Sequence, residues 1–216
     1  MPSLTIPPLY AILDPEQTKG RSTERILHDL LEGGVKFLQL RVKSLPSSDL
    51  FELARRARAA TRSHECKLIV NDRVDIALAC DADGVHLGQD DLPLEVGRKL
   101  MGQKIVGIST HDLEQAREAE QNGADYIGFG PIFATPTKPD YTPIGLADIG
   151  QVHADVSLPI FCIGGIKMDN LVPLIAAGAR RVAIVSGLLK APDIANYARD
   201  VKRMLNSSFV IRHSSF

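Results

Sequence analysis

The chain has little of what would direct it to a membrane, an oxidising compartment or a nucleic acid. Cysteine is sparse: Cys66, Cys80 and Cys162 are the three in 216 residues, far apart and without a CxxC pair. That spacing is neither a zinc signature nor a disulfide framework, and it points to a reducing cytosol. An excess of one charge is also missing. The net charge of −1 argues against a nucleic-acid or polyanion surface as the main business of the molecule. No uncharged apolar run approaches the ~20 residues that span a bilayer. Residues 1–8 lack a basic patch followed by an apolar segment, so no export signal is expected and the chain is read as cytoplasmic. What is present is 44% hydrophobic content, enough to bury a sizeable core in one larger domain.

Strand and helix patterns alternate with little interruption. Segments 9–14, 37–41, 67–72, 84–88, 105–109, 126–129, 158–163 and 181–186 read as strands. Helices are expected over 22–31, where Ser22 caps and Gly33-Gly34 closes, and over 48–62. Others run to 79, start at Pro93, reach 121 behind a capping box of Asp112 and Gln115, and cover 146–153. The last two begin at 168 and span 193–205. Eight such units predict an α/β fold, a closed (β/α)₈ TIM barrel, as one domain over 1–206 with a flexible tail at 207–216. Gly34, Gly123 and Gly178 each end a helix before an even-numbered strand, a weak internal echo of the repeat. An open doubly wound sheet is the alternative, but no switch point is visible.

In such a barrel the site lies at the C-terminal ends of the strands. Strand two ends Gln39-Leu40-Arg41-Val42-Lys43, and alternation places Gln39, Arg41 and Lys43 on the inward face. A guanidinium beside an ammonium suits a di- or polyphosphate, the alternative being an internal ion pair with an acid of a neighbouring strand. Asn71-Asp72 ends strand three, and Gly88-Gln89-Asp90-Asp91 follows strand four. Asp72 and one of those aspartates can flank a hard cation, Mg²⁺ before Ca²⁺ where phosphate completes the shell. Helix capping by Asp72 and Asp91 is the competing reading.

The glycines of Ile163-Gly164-Gly165-Ile166 and of Val185-Ser186-Gly187 sit where this fold usually cradles a monophosphate with backbone N–H groups. Strand six leaves through Gly130-Pro131-Ile132-Phe133-Ala134-Thr135-Pro136-Thr137-Lys138-Pro139, a loop offering two hydroxyls and an ammonium within four positions. Two phosphate sites in one cavity imply two anionic substrates. His86 and His111 are candidate acid–base groups, although His86, in mid-strand, fits a hydrogen-bonded core histidine better.

Several motifs together resemble thiamine phosphate synthase: Gln39-Leu40-Arg41-x-Lys43, Asn71-Asp72-Arg73-Val74-Asp75, Gly84-Val85-His86-Leu87-Gly88-Gln89-Asp90-Asp91, Gly107-Ile108-Ser109-Thr110-His111, Thr135-Pro136-Thr137-Lys138 and Ile163-Gly164-Gly165-Ile166. The resemblance keeps one register over 9–205. It implies an enzyme that joins a hydroxymethylpyrimidine diphosphate to a thiazole monophosphate and releases pyrophosphate. It also implies that residues 39–43, Asn71, Ser109 and Lys138 hold the pyrimidine diphosphate, Leu40 and Val42 lying within that run. Thr135, Pro136, Thr137, Gly165, Val185 and Ser186 would hold the thiazole phosphate, and Asp72 and Asp91 the Mg²⁺. Arg41, Lys43, Ser109 and Lys138 would be the catalytic set, acting on a dissociative substitution without a protein nucleophile. Two positions depart from the family pattern: Val42, where an acid is frequent, and Gly187, where alanine is usual.

The resemblance leaves two rivals, a thiazole tautomerase on the same barrel and a phosphate-binding protein that turns nothing over. The partners expected are the two phosphorylated substrates, with no nucleic acid and no membrane. A homo-oligomer is left open.

Overall fold

The computed structural model describes residues 6–135 and 142–213, with side chains as far as residue 207. Eight parallel strands close on themselves in sequence order. They are β1 (Leu9–Leu13), β2 (Phe37–Leu40), β3 (Lys67–Asn71), β4 (Gly84–Leu87), β5 (Ile105–Thr110), β6 (Tyr126–Phe129), β7 (Ile160–Ile163) and β8 (Val182–Ile184). Closure is made where β1 pairs with β2 on one side, Ala11 opposite Leu38, and with β8 on the other, Leu9 opposite Val182. The helices between them are α1 (Thr23–Glu32), α2 (Ser47–Ser63), α3 (Val74–Ala79), α4 (Leu94–Met101), α5 (Leu113–Gln121), α6 (Ile149–Asp155), α7 (Leu171–Ala176), α8 (Ser186–Leu189) and α9 (Ile194–His213). The (β/α)₈ barrel expected from the alternation is therefore the fold, and the open sheet is excluded by closure.

Local chemistry explains the placement of the elements. Ser22 Oγ accepts from Arg25 N at 3.1 Å and starts α1, whose Ile26, Leu27, Leu30 and Leu31 form one buried stripe. Gly34, Gly123 and Gly178 all take positive φ at the helix ends that precede β2, β6 and β8. Asp112 accepts from Gln115 N at the start of α5, but Gln115 Oε1 accepts from His111 N, one residue short of the capping box expected. Several edges shift inward because strand pairing stops before the apolar run does: β7 starts at Ile160 and β8 spans three residues. At the other end of the chain α9 continues to His213, past the 205 expected.

Alternation along each strand divides the core in two. Leu9, Ala11, Leu13, Leu38, Leu40, Leu68 and Val70 pack outward with the helices. Tyr10, Ile12, Phe37, Ile69, Ile105, Tyr126, Phe161 and Ala183 point inward. Four rings fill the barrel's interior, with Phe37 and Phe161 stacked at 5.7 Å and Tyr10 edge-on to Tyr126 at 5.6 Å. Room for Tyr126 comes from Gly107, where an added Cβ would lie 2.1 Å from the ring. The lower half of the barrel is thus a packed plug, and the open half lies above it at the strands' C-terminal ends. Among the described residues no helix is long and apolar enough to cross a membrane.

Candidate active site

A cavity of about 410 Å³ opens over the aromatic plug, reaching down to Tyr10, Ile12, Phe161 and Ala183. Its rim gathers residues that are far apart in the chain. Gln39, Arg41, Lys43, Asn71, Asp72, Asp91, Ser109, Thr135, Gly165, Val185 and Ser186 all line it. Leu40 and Val42 do not, because their side chains pack in the helix layer, so contact with a bound molecule is left to their backbone. Pro136, Thr137 and Lys138 lie outside the described residues.

On the β2 side, Arg41 follows the last strand residue and its N–H bonds to Leu13 O at 2.9 Å. That register sets its guanidinium beside Asp14, the residue after β1, and Nη1 donates to Asp14 Oδ2. Asp14 is buried and also accepts from Glu16 N at 3.0 Å. The internal ion pair expected as an alternative is therefore present, and it coexists with exposure of Arg41 to the cavity. Asp14 escaped the sequence reading as a site residue, although the charge ending its strand was visible; only the β1–β2 pairing shows what it faces.

Asp72 occupies the left-handed region, at φ +61°, with its N–H bonded to His86 O at 2.8 Å. The turn aims its carboxylate across to Asp91 and to Lys43, whose Nζ lies 2.9 Å from Oδ2. Burial raises the Asp72 carboxyl above its ordinary range and the hydrogen bond with Asp91 raises it further, while Lys43 pulls the other way. Neither aspartate caps a helix. The residues in the cap positions of α3 and α4 are Arg73 and Pro93, without side-chain caps, and Asp91 Oδ2 instead accepts from Gly88 N at 2.7 Å. Two carboxylates held together at a half-buried rim, at a cost in ionisation, are an oxygen-only donor set that fits a hard divalent cation. Among the described residues no group of three or more His, Cys, Asp or Glu gathers to hold a metal, so water and substrate oxygens would complete the shell.

Opposite, the β6 loop is tied to the end of β7. Ile132 N donates to Ile163 O at 2.8 Å and Phe133 N to Gly164 O at 3.1 Å, which brings Thr135 to the rim. Gly165 has φ +64°, and a Cβ there would stand 2.5 Å from Ala134 O. The two loops therefore approach more closely than any side chain permits, leaving backbone at the cavity wall. Gly187, one of the departures from the family pattern, has a similar reason: its Cβ would meet Ile166 O at 2.7 Å.

His86 spans two partners, Tyr126 Oη at its Nδ1 and Ser109 Oγ at its Nε2, both at 3.0 Å, as expected of a hydrogen-bonded core histidine. His111 reaches the cavity and its Nδ1 lies on Gly130 O. Tyr10 and Tyr126, bonded to each other at 2.8 Å, were missed from sequence. Each reads there as one more aromatic in a strand.

Residues 9–188 match the thiamine monophosphate synthase family. The chain belongs to that family. It is 47% identical over 188 residues to the thiamine-phosphate synthase of Halalkalibacterium halodurans, covering 86% of this chain and 89% of that protein. Identity to the thiamine-phosphate synthase of Moorella thermoacetica is 46% over 199 residues, with 91% and 95% covered. Among solved structures, the thiamine phosphate pyrophosphorylase of Pyrococcus furiosus superposes with a TM-score of 0.85 at 34% identity, over 93% of this chain and 96% of that one. A 3-hexulose-6-phosphate synthase, at 17% identity and a TM-score of 0.62, shares the fold alone. Members of the thiamine monophosphate synthase family thus cover nearly the whole barrel, including every strand end that builds the cavity.

Proposed function

We propose that this chain is a thiamine-phosphate synthase. It joins 4-amino-2-methyl-5-(diphosphooxymethyl)pyrimidine to a thiazole monophosphate, giving thiamine monophosphate and pyrophosphate, in the cytoplasm. The observation that carries the reading is one cavity holding Arg41, Lys43, Asp72 and Asp91 on one side and bare backbone at Gly165 on the other. A diphosphate needs the first set and a monophosphate the second.

The residues divide the work by position. Arg41 and Lys43 offset the growing negative charge of the leaving pyrophosphate, with Lys138 as a third cation. Mg²⁺ held by Asp72 and Asp91 would neutralise the same charge. Gln39, Asn71 and Ser109 orient the pyrimidine over the aromatic plug, whose apolar surface keeps water from the electron-poor methylene carbon. Thr135, Thr137, Gly165, Val185 and Ser186 hold the thiazole phosphate so that its ring nitrogen faces that carbon. The carbon–oxygen bond to the diphosphate breaks with its electron pair leaving on oxygen, and the nitrogen lone pair forms the new carbon–nitrogen bond. No protein nucleophile takes part.

A tautomerase would have no use for the diphosphate set, and a silent binder would bind both ligands without releasing anything. The deciding measurement is pyrophosphate release with both substrates present and with each omitted in turn. Release that requires both, with thiamine monophosphate formed in equal amount, supports the proposal; binding without release overturns it.

A further inference from the structure

Gln39 and Ser109 stand on different strands of the barrel, and one continuous hydrogen-bonded chain joins them through its interior. Gln39 Nε2 donates to Tyr10 Oη at 2.7 Å, and Tyr10 Oη lies 2.8 Å from Tyr126 Oη. Tyr126 Oη lies 3.0 Å from His86 Nδ1, and His86 Nε2 lies 3.0 Å from Ser109 Oγ. Gln39, Tyr10, Tyr126 and His86 are all buried.

The direction of every bond follows from the first one. An amide nitrogen only donates, so Tyr10 accepts from Gln39. Among the described residues the Tyr10 hydroxyl has one other neighbour, Tyr126, and its own hydrogen goes there. Tyr126 then accepts from Tyr10 and gives its hydrogen to His86 Nδ1. A ring nitrogen that accepts carries no proton, so the neutral imidazole is protonated at Nε2 and donates to Ser109 Oγ. The Ser109 hydroxyl has its acceptor side filled from below and its hydrogen left for the cavity that it lines. Burial pushes both phenols well above their ordinary range, so neither loses the hydrogen on which the sequence of bonds depends.

We propose that Tyr10, Tyr126 and His86 are positioning residues that set the hydrogen-bond polarity of the cavity floor, holding His86 as its Nε2–H tautomer so that Ser109 acts as a donor toward the substrate. Resting on the function proposed above, this selects a heteroaromatic ring that presents an unprotonated nitrogen, as an aminopyrimidine does. A ring presenting an N–H at that point would oppose donor to donor. The hydroxyls of the two tyrosines are bonded to Gln39, to each other and to His86, so their effect passes through residues already at the cavity.

The 216-residue chain labelled with ¹⁵N-histidine tests the polarity without any ligand. Long-range proton–nitrogen spectra, with the His86 signals assigned by their loss in His86→Asn, are expected to show Nε2 protonated and Nδ1 bare. A protonated Nδ1 overturns the proposal. Removing one hydroxyl by Tyr126→Phe is expected to mix the tautomers. It should raise KM for the pyrimidine diphosphate roughly three- to tenfold, the range of one neutral hydrogen bond, and leave KM for the thiazole phosphate within twofold. In a Ser109→Ala background the same change is expected to add less than twofold, because its effect passes through that hydroxyl. A full multiplicative loss there, or equal losses for both substrates, overturns the proposal. Should Tyr126→Phe fail to fold, the wild-type spectrum still decides the tautomer. Should the wild-type chain release no pyrophosphate, the proposed function falls, and the spectrum separately supports or overturns the polarity.

Discussion

The Asp14 carboxylate accepts from Arg41 Nη1 at 2.5 Å, and the pair joins the ends of β1 and β2 at the edge of the cavity. The Asp14 side chain is 2% exposed and that of Arg41 16%. The acid is therefore structural, while the cation faces two ways. One nitrogen of the guanidinium is held by the protein, which fixes the plane in which the other donors meet a phosphate.

Arg41→Lys is accordingly not a conservative change. An ammonium cannot keep Asp14 and grip phosphate oxygens in the same plane. Loss of one charge-assisted bond, about 1.5–3 kcal/mol, is expected to lower the single-turnover rate about ten- to hundredfold. The melting temperature should also fall by several degrees, since a chain of this size loses roughly 2–4 °C per kcal/mol. Stopped-flow release of pyrophosphate and thermal melts read the two effects. A lowered melting temperature with an unchanged rate would return Arg41 to the scaffold.

At the acidic rim, function and stability are expected to oppose each other. Asp72 is raised by burial and by Asp91, so its charge costs the ligand-free fold stability above the raised value. That cost fades as pH falls through the raised value toward the unfolded one, where the carboxyl is protonated in both states. Asp72→Asn should therefore raise the melting temperature of the metal-free protein at neutral pH by a few degrees. The gain should shrink as the solution is acidified toward about pH 4, near the ordinary carboxylate value. Asp91→Ala should abolish Mg²⁺-dependent turnover and also loosen the turn at Gly88, which Asp91 holds at 2.7 Å. Activity surviving at ordinary Mg²⁺ concentration would remove both aspartates from the metal.

Alanine at Gly165 is enough to separate the two phosphate sites. Its Cβ would stand 2.8 Å from Phe133 Cβ and 2.5 Å from Ala134 O, with the backbone at φ +64°. The β6 and β7 loops must part, and Thr135 moves with them. Calorimetric titration is expected to show at least a tenfold loss for the thiazole phosphate and less than threefold for the pyrimidine diphosphate. Equal losses would mean a single shared site.

The three thiols should be silent in the native protein. Burial pushes Cys66 and Cys162 up to about 12 and raises Cys80 as well, so the reactive thiolate is scarce at pH 8. A colorimetric thiol reagent should register none of them within minutes and all three once the chain is denatured. A fast native reaction would place one of them at the surface.

How far the chain could be read in advance follows from the range of the interactions involved. Eight apolar runs separated by helical patterns were enough for the barrel, because period and hydrophobicity act within a few residues. The same alternation put Gln39, Arg41 and Lys43 on the inner face, the strand ends already suggested a cation beside Asp72 and a phosphate at Gly164-Gly165, and the resemblance to a known family added a role for Ser109 and chose Asp91 over Asp90. What no local pattern contains is the neighbour across the barrel. Asp14 as the partner of Arg41 and the line from Gln39 through Tyr10, Tyr126 and His86 to Ser109 join residues that are far apart in the chain, whereas the meeting of Asp72 with an aspartate after β4 was foreseen from adjacent strand ends. Residues 10 and 126 read in sequence as two unremarkable tyrosines. Closure of the sheet buries both and brings their hydroxyls to 2.8 Å, a contact between β1 and β6 that no local pattern contains.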